Sequence, residues 1–535
     1  MERASDRATD VRGTWADRVS DLVGKAQIRI SALTLLSLYP AVMVLLATRR
    51  GPGISPDSVV YVSAARNFAH RGEMVDYLGL PLTLWPPGLP FLLSMFERVG
   101  IDSQAAAVGI NVMSASLTVL LTYVLAQAAL GSQTLALLAA TVVATSASTV
   151  RVYAMLWTEP LFTVLTLSTL LVLTTAVRRN RLTAGQMVAV AALVTGATLV
   201  RIAGLWLVPI AALGALLSER ARGRVRALGW ALLAGMLSSV GFLIVVVRNL
   251  AAGSPPLGDR YAAGLTLRGL VVSSLETLGE FVIPPFFNVE ILVGSVVAGV
   301  LVVSILGVIR QRSTVAAVLA AFVVLYWVSL WYSQLRTGID PTSERLLAPI
   351  FPSMVILLFL GVQGILTKVG ALSLHRGRGT GSFFPERVLW LGSLTSLLAA
   401  FLTGIVTGGL IAARADDEWL GYNRLSVLTS PLAQAVMDLP PSVGVAANDY
   451  PAMYWISDRT SITVIPWTGY YFPPAKAARE NTLLIERIRS GQVSYLAYFD
   501  QPETVLKAQD LIDRGCDASL VEEFADGSLW RVSRC

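Results

Sequence analysis

Residues 178–226 read RRNRLTAGQMVAVAALVTGATLVRIAGLWLVPIAALGALLSERARGRVR, and this stretch decides how the chain is arranged. The segment 186–217 is almost continuously apolar, and a single helix of that length would span about 48 Å, well beyond the roughly 30 Å hydrocarbon core of a membrane. A single crossing would also place one of the two flanking arginine clusters on the outer side. The stretch therefore predicts a helical hairpin that turns near Arg201 and keeps both clusters in the cytosol.

The composition of the whole chain indicates a membrane protein. Hydrophobic residues make up 54% of the 535 residues and charged residues 14%, whereas soluble domains carry roughly 25% charged residues. The net charge of +7 arises from basic residues in short loops between apolar segments, as the positive-inside rule requires. We therefore interpret the charge as a sign of membrane topology and expect no nucleic-acid partner.

About eleven apolar segments are long enough to cross the bilayer as helices. They lie at 28–48, 104–129, 134–150, 160–177, 186–200, 202–217, 229–247, 289–309, 314–333, 347–366 and 388–411. We predict a polytopic α-helical protein of the cell membrane, with a cytosolic N-terminal segment (1–27) and a transmembrane domain (28–411). The outer face then receives the long loop 49–103.

The tail 412–535 has no span, and its composition shifts towards acidic residues. Strand patterns at 442–447 and 493–499 alternate with helix patterns at 482–490 and 503–514, and a turn at Asp526-Gly527 predicts a closing hairpin. We expect a small extracytoplasmic α/β domain. Its Cys516 and Cys535 are the two cysteines of the chain, and a disulfide and two unpaired thiols both remain open.

The first outer loop carries a carboxylate at the start of a predicted helix. Ser55 and Pro56 suit an N-cap and a first turn ahead of the helical pattern 59–68. Asp57 then either stabilises the positive end of the helix dipole or serves as a catalytic carboxylate held beside the membrane. Tyr61 follows one turn later on the same face of the helix.

Two further motifs lie at the outer boundary. The segment 84–90, LWPPGLP, predicts either an ordered interfacial loop or a plain turn that leaves Trp85 in the interface. The segment 157–160, WTEP, begins the fourth span with Glu159, where a charge is costly and is usually functional, although a structural helix-start acid is the alternative. Because two outer helix starts each present an acid, we predict a paired carboxylate site that binds a divalent ion or holds a nucleophile.

The arginines of the outer boundary are candidates for binding an anion. Arg201 interrupts the longest apolar stretch, where it either snorkels to the interface or meets an anionic head group. Arg345 lies beside Glu344 in SERLLAP, ahead of the tenth span. Other candidates in the fourth outer loop are Arg248, Arg260 and Tyr261, which otherwise read as ordinary loop residues.

These motifs, in this order and on one face, resemble the GT-C clan of membrane glycosyltransferases, which includes the protein O-mannosyltransferases and the lipid A aminoarabinose transferases. The resemblance covers about residues 28–411 and rests on PDS at 56–58 with Tyr61, WPPGLP at 85–90, TEPL at 158–161 and ERLLAP at 344–349. It implies inverting transfer of a sugar from a polyprenyl-phosphate donor to an envelope glycan, lipid or protein on the outer face.

The resemblance also implies roles for individual residues. Asp57 would act as the general base or a metal-linked carboxylate, Glu159 as the second acid, and Arg201 and Arg345 as ligands of the lipid phosphate. A divalent ion held by Asp57 and Glu159 is compatible with it, because clan members differ in metal use. Possible contacts to substrate are Tyr61, Trp85, Glu344, Arg260 and Tyr261.

Two other classes of protein compete with the enzyme. A transporter would need polar groups near the middle of the bilayer and often repeated halves, whereas the ionisable residues here cluster at the outer boundary. A non-catalytic lipid-binding or scaffold subunit of a cell-envelope complex would use Asp57 and Glu159 structurally. Of these interpretations, we favour glycosyl transfer and keep the scaffold subunit as the alternative.

Overall fold

The computed structural model describes Gln27 and residues 29–258, 260, 265–282, 289–311, 313–375, 402, 404–415, 420–459, 462–466, 474–500 and 506–535. In these residues the chain is mostly helical, with one five-stranded sheet near its C-terminal end. The predicted class, a polytopic helical protein with a small α/β domain, is confirmed.

The helices of the first part of the chain are α1 (Arg29–Ala47), α2 (Pro56–Arg71), α3 (Gly88–Arg98), α4 (Ser103–Leu130), α5 (Gln133–Thr145), α6 (Ala147–Ala154), α7 (Glu159–Arg178), α8 (Ala184–Val200), α9 (Leu207–Glu219), α10 (Arg224–Ser238) and α11 (Val240–Ala251). They are followed by α12 (Leu267–Glu280), α13 (Glu290–Gln311), α14 (Thr314–Arg336), α15 (Glu344–Leu347), α16 (Phe351–His375) and α17 (Gly404–Ala415). Short 3₁₀ turns, Ile202–Trp206 and Arg220–Arg222, flank α9.

Seven helical stretches among the described residues are long and apolar enough to cross a membrane, and there are eight if α5 and α6 together form one bent span. Of the other three predicted spans, 186–200 and 347–366 coincide with the shorter apolar helix α8 and the first part of α16. Most of the span 388–411 lies outside the described residues, and α17 overlaps only its end. Each of the ten predicted segments before residue 388 therefore contains an apolar helix or the bent pair α5 and α6. The sidedness of the membrane and the domain boundaries stay predictions.

The third predicted span, 134–150, is not one straight helix. It is divided at Ser146, whose extended backbone ends α5 and begins α6, and the two helices meet at a bend of 52°. The carbonyls beyond the bend are satisfied from α4, because buried Asn111 donates to the backbone oxygens of Tyr153 at 2.9 Å and Met155 at 2.7 Å. The bend thus directs residues 155–158 across the start of α2.

The predicted hairpin near Arg201 is confirmed. Its two ends meet, because the backbone N–H of Leu182, before α8, donates to Oε1 of Glu219 at the end of α9 at 2.8 Å. Glu219 is fully buried, and its other oxygen accepts from Nε of Arg226 at 3.0 Å. A buried carboxylate is retained when it is paired and hydrogen-bonded, so these contacts hold the base of the hairpin closed.

The tail forms the expected α/β domain. Its strands are β1 (Val445–Ala447), β2 (Ile462–Val464), β3 (Tyr495–Phe499), β4 (Asp517–Phe524) and β5 (Gly527–Arg534), and its helices are α18 (Leu425–Leu428), α19 (Pro431–Asp438), α20 (Tyr450–Ser457), α21 (Pro474–Arg489) and α22 (Ala508–Asp513). The sheet order is β2-β1-β3-β5-β4, with β1 parallel to β2 and β3, and β5 antiparallel to β3 and β4. Cys516 and Cys535 form a disulfide, which settles the open alternative.

The α/β domain packs directly on the loop that follows α1. The ring of Tyr77 stacks on Tyr454 of α20 with centroids 4.6 Å apart. Asn423, which precedes α18, donates to the backbone oxygen of Pro52 at 2.7 Å and accepts from the indole of Trp455 at 2.9 Å. These contacts place the tail over the loop that carries Asp57.

Candidate active site

The start of α2 fixes Asp57. The Ser55 hydroxyl and the Ser58 side chain form a reciprocal capping box, and Pro56 opens the first turn. Both carboxylate oxygens of Asp57 accept a hydrogen bond: Oδ1 from the indole Nε1 of Trp85 at 3.1 Å, and Oδ2 from Nη2 of Arg345 at 2.5 Å. The carboxylate is therefore held in one orientation at the helix start.

Glu159 is the second carboxylate, and its side chain is fully buried at the start of α7. Its Oε1 accepts from Nη1 of Arg201 at 2.6 Å and from Nε of Arg345 at 2.6 Å. Thr158 donates to Oε2 at 3.2 Å. Two arginines thus compensate a charge that would be costly to bury alone.

Arg345 joins the two acids. It lies in the short helix α15, and its guanidinium bonds both Asp57 and Glu159 while it stacks 4.5 Å from the ring centroid of Trp157. Burial alone would lower the pKa of Arg345, but the charges of Glu159 and Asp57 raise it well above its ordinary value. The group therefore acts as a permanent cation between the two carboxylates.

The structure brings Asp57, Glu159, Arg201 and Arg345 into one network, and we call these four residues the charge network. The sequence placed them on one face but did not predict that they pair with one another. Tyr61, one turn after Asp57, is buried beside it. Burial, with the Asp57 charge nearby, raises the pKa of Tyr61, so its hydroxyl stays protonated at neutral pH. Tyr61 is therefore a neutral neighbour of the acids.

The remaining candidates lie in different settings. Trp85 is bound to Asp57, and Arg260 donates to the backbone oxygen of Leu84 at 3.3 Å. Glu344 points to Arg151 of α6, with which it forms an ion pair, so it does not join the charge network. Tyr261 lies outside the described residues.

The charge network opens onto a cavity of about 1790 Å³. Asp57, Tyr61, Trp85, Arg201 and Arg345 line one part of it, and the same cavity extends to residues 448–451 and 462–464 of the α/β domain. A space of this size exceeds the roughly 300–1,000 Å³ of a typical small-molecule site. The cavity therefore joins the charge network to the α/β domain and is larger than one small ligand needs.

The two acids do not fit a divalent-ion site as they stand. Arg345 lies between Asp57 and Glu159 and bonds both, so the position that a bridging ion would take already holds a cation. Across the described residues, no group of three or more His, Cys, Asp or Glu side chains is close enough to hold a metal ion. A divalent ion held by this pair stays a prediction.

Sequence reasoning missed two side chains at this site. Trp157 bonds the Ser55 hydroxyl at 2.8 Å and stacks on Arg345, although its position in WTEP marked only a helix start. Arg151 precedes the same motif by six positions and pairs with Glu344. An arginine at the end of an apolar span was the available signal for Arg151.

The ion pair of Arg151 with Glu344 is expected to hold α15, and hence Arg345, in place. Both side chains are largely buried, and breaking one partner of a buried pair costs about 3–5 kcal/mol because the other charge is left uncompensated. We expect Arg151→Gln to lower the thermal unfolding midpoint of the purified protein. The double variant Arg151→Gln with Glu344→Gln should recover much of that loss; an equal or larger loss in the double variant would contradict the pairing.

Comparisons with known proteins find one family model that matches part of the chain. Residues 85–248 match the family model described as dolichyl-phosphate-mannose-protein mannosyltransferase, a segment that includes Trp85, Glu159 and Arg201. No curated protein shows significant sequence similarity to the chain.

The fold has close parallels among solved structures. Apo ArnT from Cupriavidus metallidurans is 12% identical with a TM-score of 0.58, and the match covers 96% of this chain and 98% of that chain. The same protein bound to undecaprenyl phosphate is 12% identical with a TM-score of 0.57, over 95% and 98% of the two chains. The Archaeoglobus fulgidus oligosaccharyltransferase tethered to an acceptor peptide is 13% identical with a TM-score of 0.52, over 88% and 69%.

The matches span both the membrane helices and the C-terminal domain, and the matched family segment carries two members of the charge network. The fold that the resemblance implied is therefore confirmed: this chain has the fold of ArnT and of the archaeal oligosaccharyltransferase.

Proposed function

We propose that this protein transfers a sugar from a polyprenyl-phosphate donor to a hydroxyl group of an envelope glycan, lipid or protein on the outer face of the cell membrane. The charge network carries the proposal, because it places a fixed carboxylate, Asp57, beside two arginines in a large cavity. The family description and the undecaprenyl phosphate in one of the similar structures support a lipid-linked donor, and the acceptor peptide in another supports transfer to an acceptor.

The proposed reaction is a single displacement at the anomeric carbon. Asp57 takes the proton of the acceptor hydroxyl, and the acceptor oxygen forms a bond to the anomeric carbon from the face opposite the phosphate. The bond between the anomeric carbon and the phosphate oxygen breaks, its electron pair stays on that oxygen, and polyprenyl phosphate leaves. Attack on the opposite face inverts the anomeric configuration.

The leaving phosphate gains one negative charge, so cations aimed at it lower the barrier. Arg201 and Arg345 have this role in our proposal. In the resting protein, however, their two charges are balanced by Glu159 and Asp57. A donor phosphate that binds Arg345 would compete with Asp57 for the guanidinium and thereby free the carboxylate to act as a base.

Arg260 supplies the additional positive charge that an incoming phosphodiester requires. It lines the same cavity, and in the described part of the chain it donates only to the backbone oxygens of Leu257 and Leu84 and forms no ion pair. Burial lowers the pKa of Arg260, which is the sign of a cation held away from water. An anion bound there would offset the cost of that burial.

A non-catalytic lipid-binding subunit is the second candidate, and one observation favours it. The four residues of the charge network neutralise one another, as in a structural ion-pair network. A subunit of this kind would bind polyprenyl phosphate without turning over any sugar. Transfer activity therefore separates the two functions.

Purified protein in lipid nanodiscs tests the proposal against a panel of radiolabelled polyprenyl-phosphate sugars, with envelope extracts as acceptors. We expect transfer of label to an acceptor from at least one donor, and a product whose anomeric configuration, read by NMR, is inverted. Asp438→Asn, on an exposed position of α19, is the control for a change of charge away from the site. Tight binding of polyprenyl phosphate with no turnover of any donor would favour the lipid-binding subunit.

A further inference from the structure

Three consecutive backbone carbonyls in the first outer loop are held by side chains from one neighbouring segment. Asn249 donates to the backbone oxygen of Thr83 at 2.9 Å, Arg260 to that of Leu84 at 3.3 Å and Arg248 to that of Trp85 at 3.1 Å. Residues 83–85 belong to no helix or strand, so their carbonyls have no ladder to bond. We call Arg248, Asn249 and Arg260 the carbonyl clamp.

Asn249 organises the clamp. It is fully buried near the end of α11, and its amide also donates to the backbone oxygen of Pro256 at 3.0 Å. Its Oδ1 accepts from both Nε and Nη2 of Arg248, at 3.2 and 2.8 Å. One amide side chain thus bonds the loop and also orients the guanidinium that bonds Trp85.

The loop has little room to shift. A Cβ on Gly258, which has φ +75°, would lie 2.7 Å from the backbone oxygen of Thr83, so the segment after α11 touches the loop backbone directly. On the other side, a Cβ on Gly88 would lie 2.5 Å from the backbone oxygen of Leu199, two residues before Arg201. Residues 83–88 are therefore packed between the clamp segment and the turn that carries Arg201.

The clamp reaches the charge network through one side chain. Trp85, whose carbonyl is bonded by Arg248, donates its indole N–H to Oδ1 of Asp57 at 3.1 Å. A hydrogen bond of this length is lost when the donor moves by about 1 Å. Displacement of the loop would therefore release one of the two bonds that fix the Asp57 carboxylate.

We infer that Arg248 and Asn249 are positioning residues, which hold Trp85 so that its indole orients the carboxylate of Asp57 for proton transfer. Neither residue needs to touch a substrate in this role. The inference rests on the proposed function, because it assigns Asp57 as the base. Misplacement of a catalytic group by about 1 Å costs up to roughly 100-fold in rate, so the expected effect is large enough to measure.

A double-mutant cycle tests whether Asn249 acts through Trp85. Asn249→Leu keeps the size of the side chain and removes its polar atoms, and Trp85→Phe keeps a ring and removes the indole N–H. We expect each single variant to lower kcat by about tenfold or more, without a change in the donor dissociation constant, and the double variant to resemble Trp85→Phe alone. Fully multiplicative losses in kcat would overturn the inference.

A second pair of variants covers the case in which Asn249→Leu does not fold. Arg248→Lys keeps the charge but loses the fork that bonds Asn249 and Trp85 together. The matched control is Arg98→Lys, since Arg98 also donates to a backbone carbonyl, that of Phe68, but does not touch residues 83–85. We expect a lower kcat for Arg248→Lys and an unchanged kcat for the control; equal behaviour of the two would overturn the inference.

Hydrogen–deuterium exchange separates failure of this inference from failure of the proposed function. In the full-length protein, exchange of the peptide that contains residues 83–92 should be faster in Arg248→Lys than in wild type or Arg98→Lys, whether or not a donor is turned over. Unchanged exchange would show that the clamp does not hold the loop. If exchange is faster in Arg248→Lys but the wild-type protein transfers no sugar, the role of the clamp in holding the loop would stand and the proposed function would be contradicted.

Discussion

Replacement of Arg345 by glutamine is expected to abolish sugar transfer and to destabilise the protein. The guanidinium is the only group of the charge network that bonds both acids, and the substitution leaves Asp57 without its cation while Glu159 keeps Arg201. Loss of one partner of a buried ion pair costs about 3–5 kcal/mol. Loss of a donor aimed at the developing charge costs about 100- to 1,000-fold in kcat.

These two effects can be separated with a second substitution. Asp57→Asn added to Arg345→Gln removes the uncompensated carboxylate, so the thermal unfolding midpoint should rise towards the wild-type value while transfer stays absent. Arg345→Lys is the conservative comparison: it retains the charge but cannot bond both acids with a planar fork, and we expect partial activity. Wild-type turnover in Arg345→Gln would remove Arg345 from the mechanism.

The arrangement of the membrane helices was largely predictable because it follows from lengths and charges along the sequence. An apolar run too long for one crossing and flanked by arginines on both ends requires a hairpin, and the contact of Leu182 with Glu219 closes it. The bend at Ser146 was not predictable in this way. Neither proline nor glycine marks it, and Asn111, whose amide bonds the carbonyls of Tyr153 and Met155 beyond the bend, comes from a distant part of the chain.

The candidate site was also predictable only where its features are local in the sequence. Each member of the charge network stands out locally, because an ionisable residue at the edge of an apolar span is costly. Their pairing is not local: Asp57 and Arg345 are separated by 288 positions, and no pattern in the sequence assigns Arg345 to both acids. Arg248 and Arg260 of the carbonyl clamp were candidates in the sequence, but Asn249, which organises the clamp, gives no signal, since it is an ordinary polar residue near a helix end.

Asp57→Asn is expected to reduce transfer by about 100- to 10,000-fold, the range that general acid–base catalysis contributes. The amide is nearly the same size as the carboxylate but cannot take the acceptor proton, and one of its two positions presents N–H₂ to a donor, either Trp85 or Arg345. Glu159→Gln is the informative comparison. Glu159 is fully buried and bonded by both arginines, so its loss should weaken donor binding and stability more than it lowers kcat.

The donor dissociation constant decides what a loss of activity in Asp57→Asn means. If Asp57 is the base, the variant still binds the donor as tightly as wild type, or more tightly, because Arg345 no longer has to leave a carboxylate to meet the phosphate. If Asp57 only orders the site, donor binding and the thermal unfolding midpoint fall together with turnover. Undiminished transfer by a folded Asp57→Asn variant would leave sugar transfer standing and move the base to another group of the cavity.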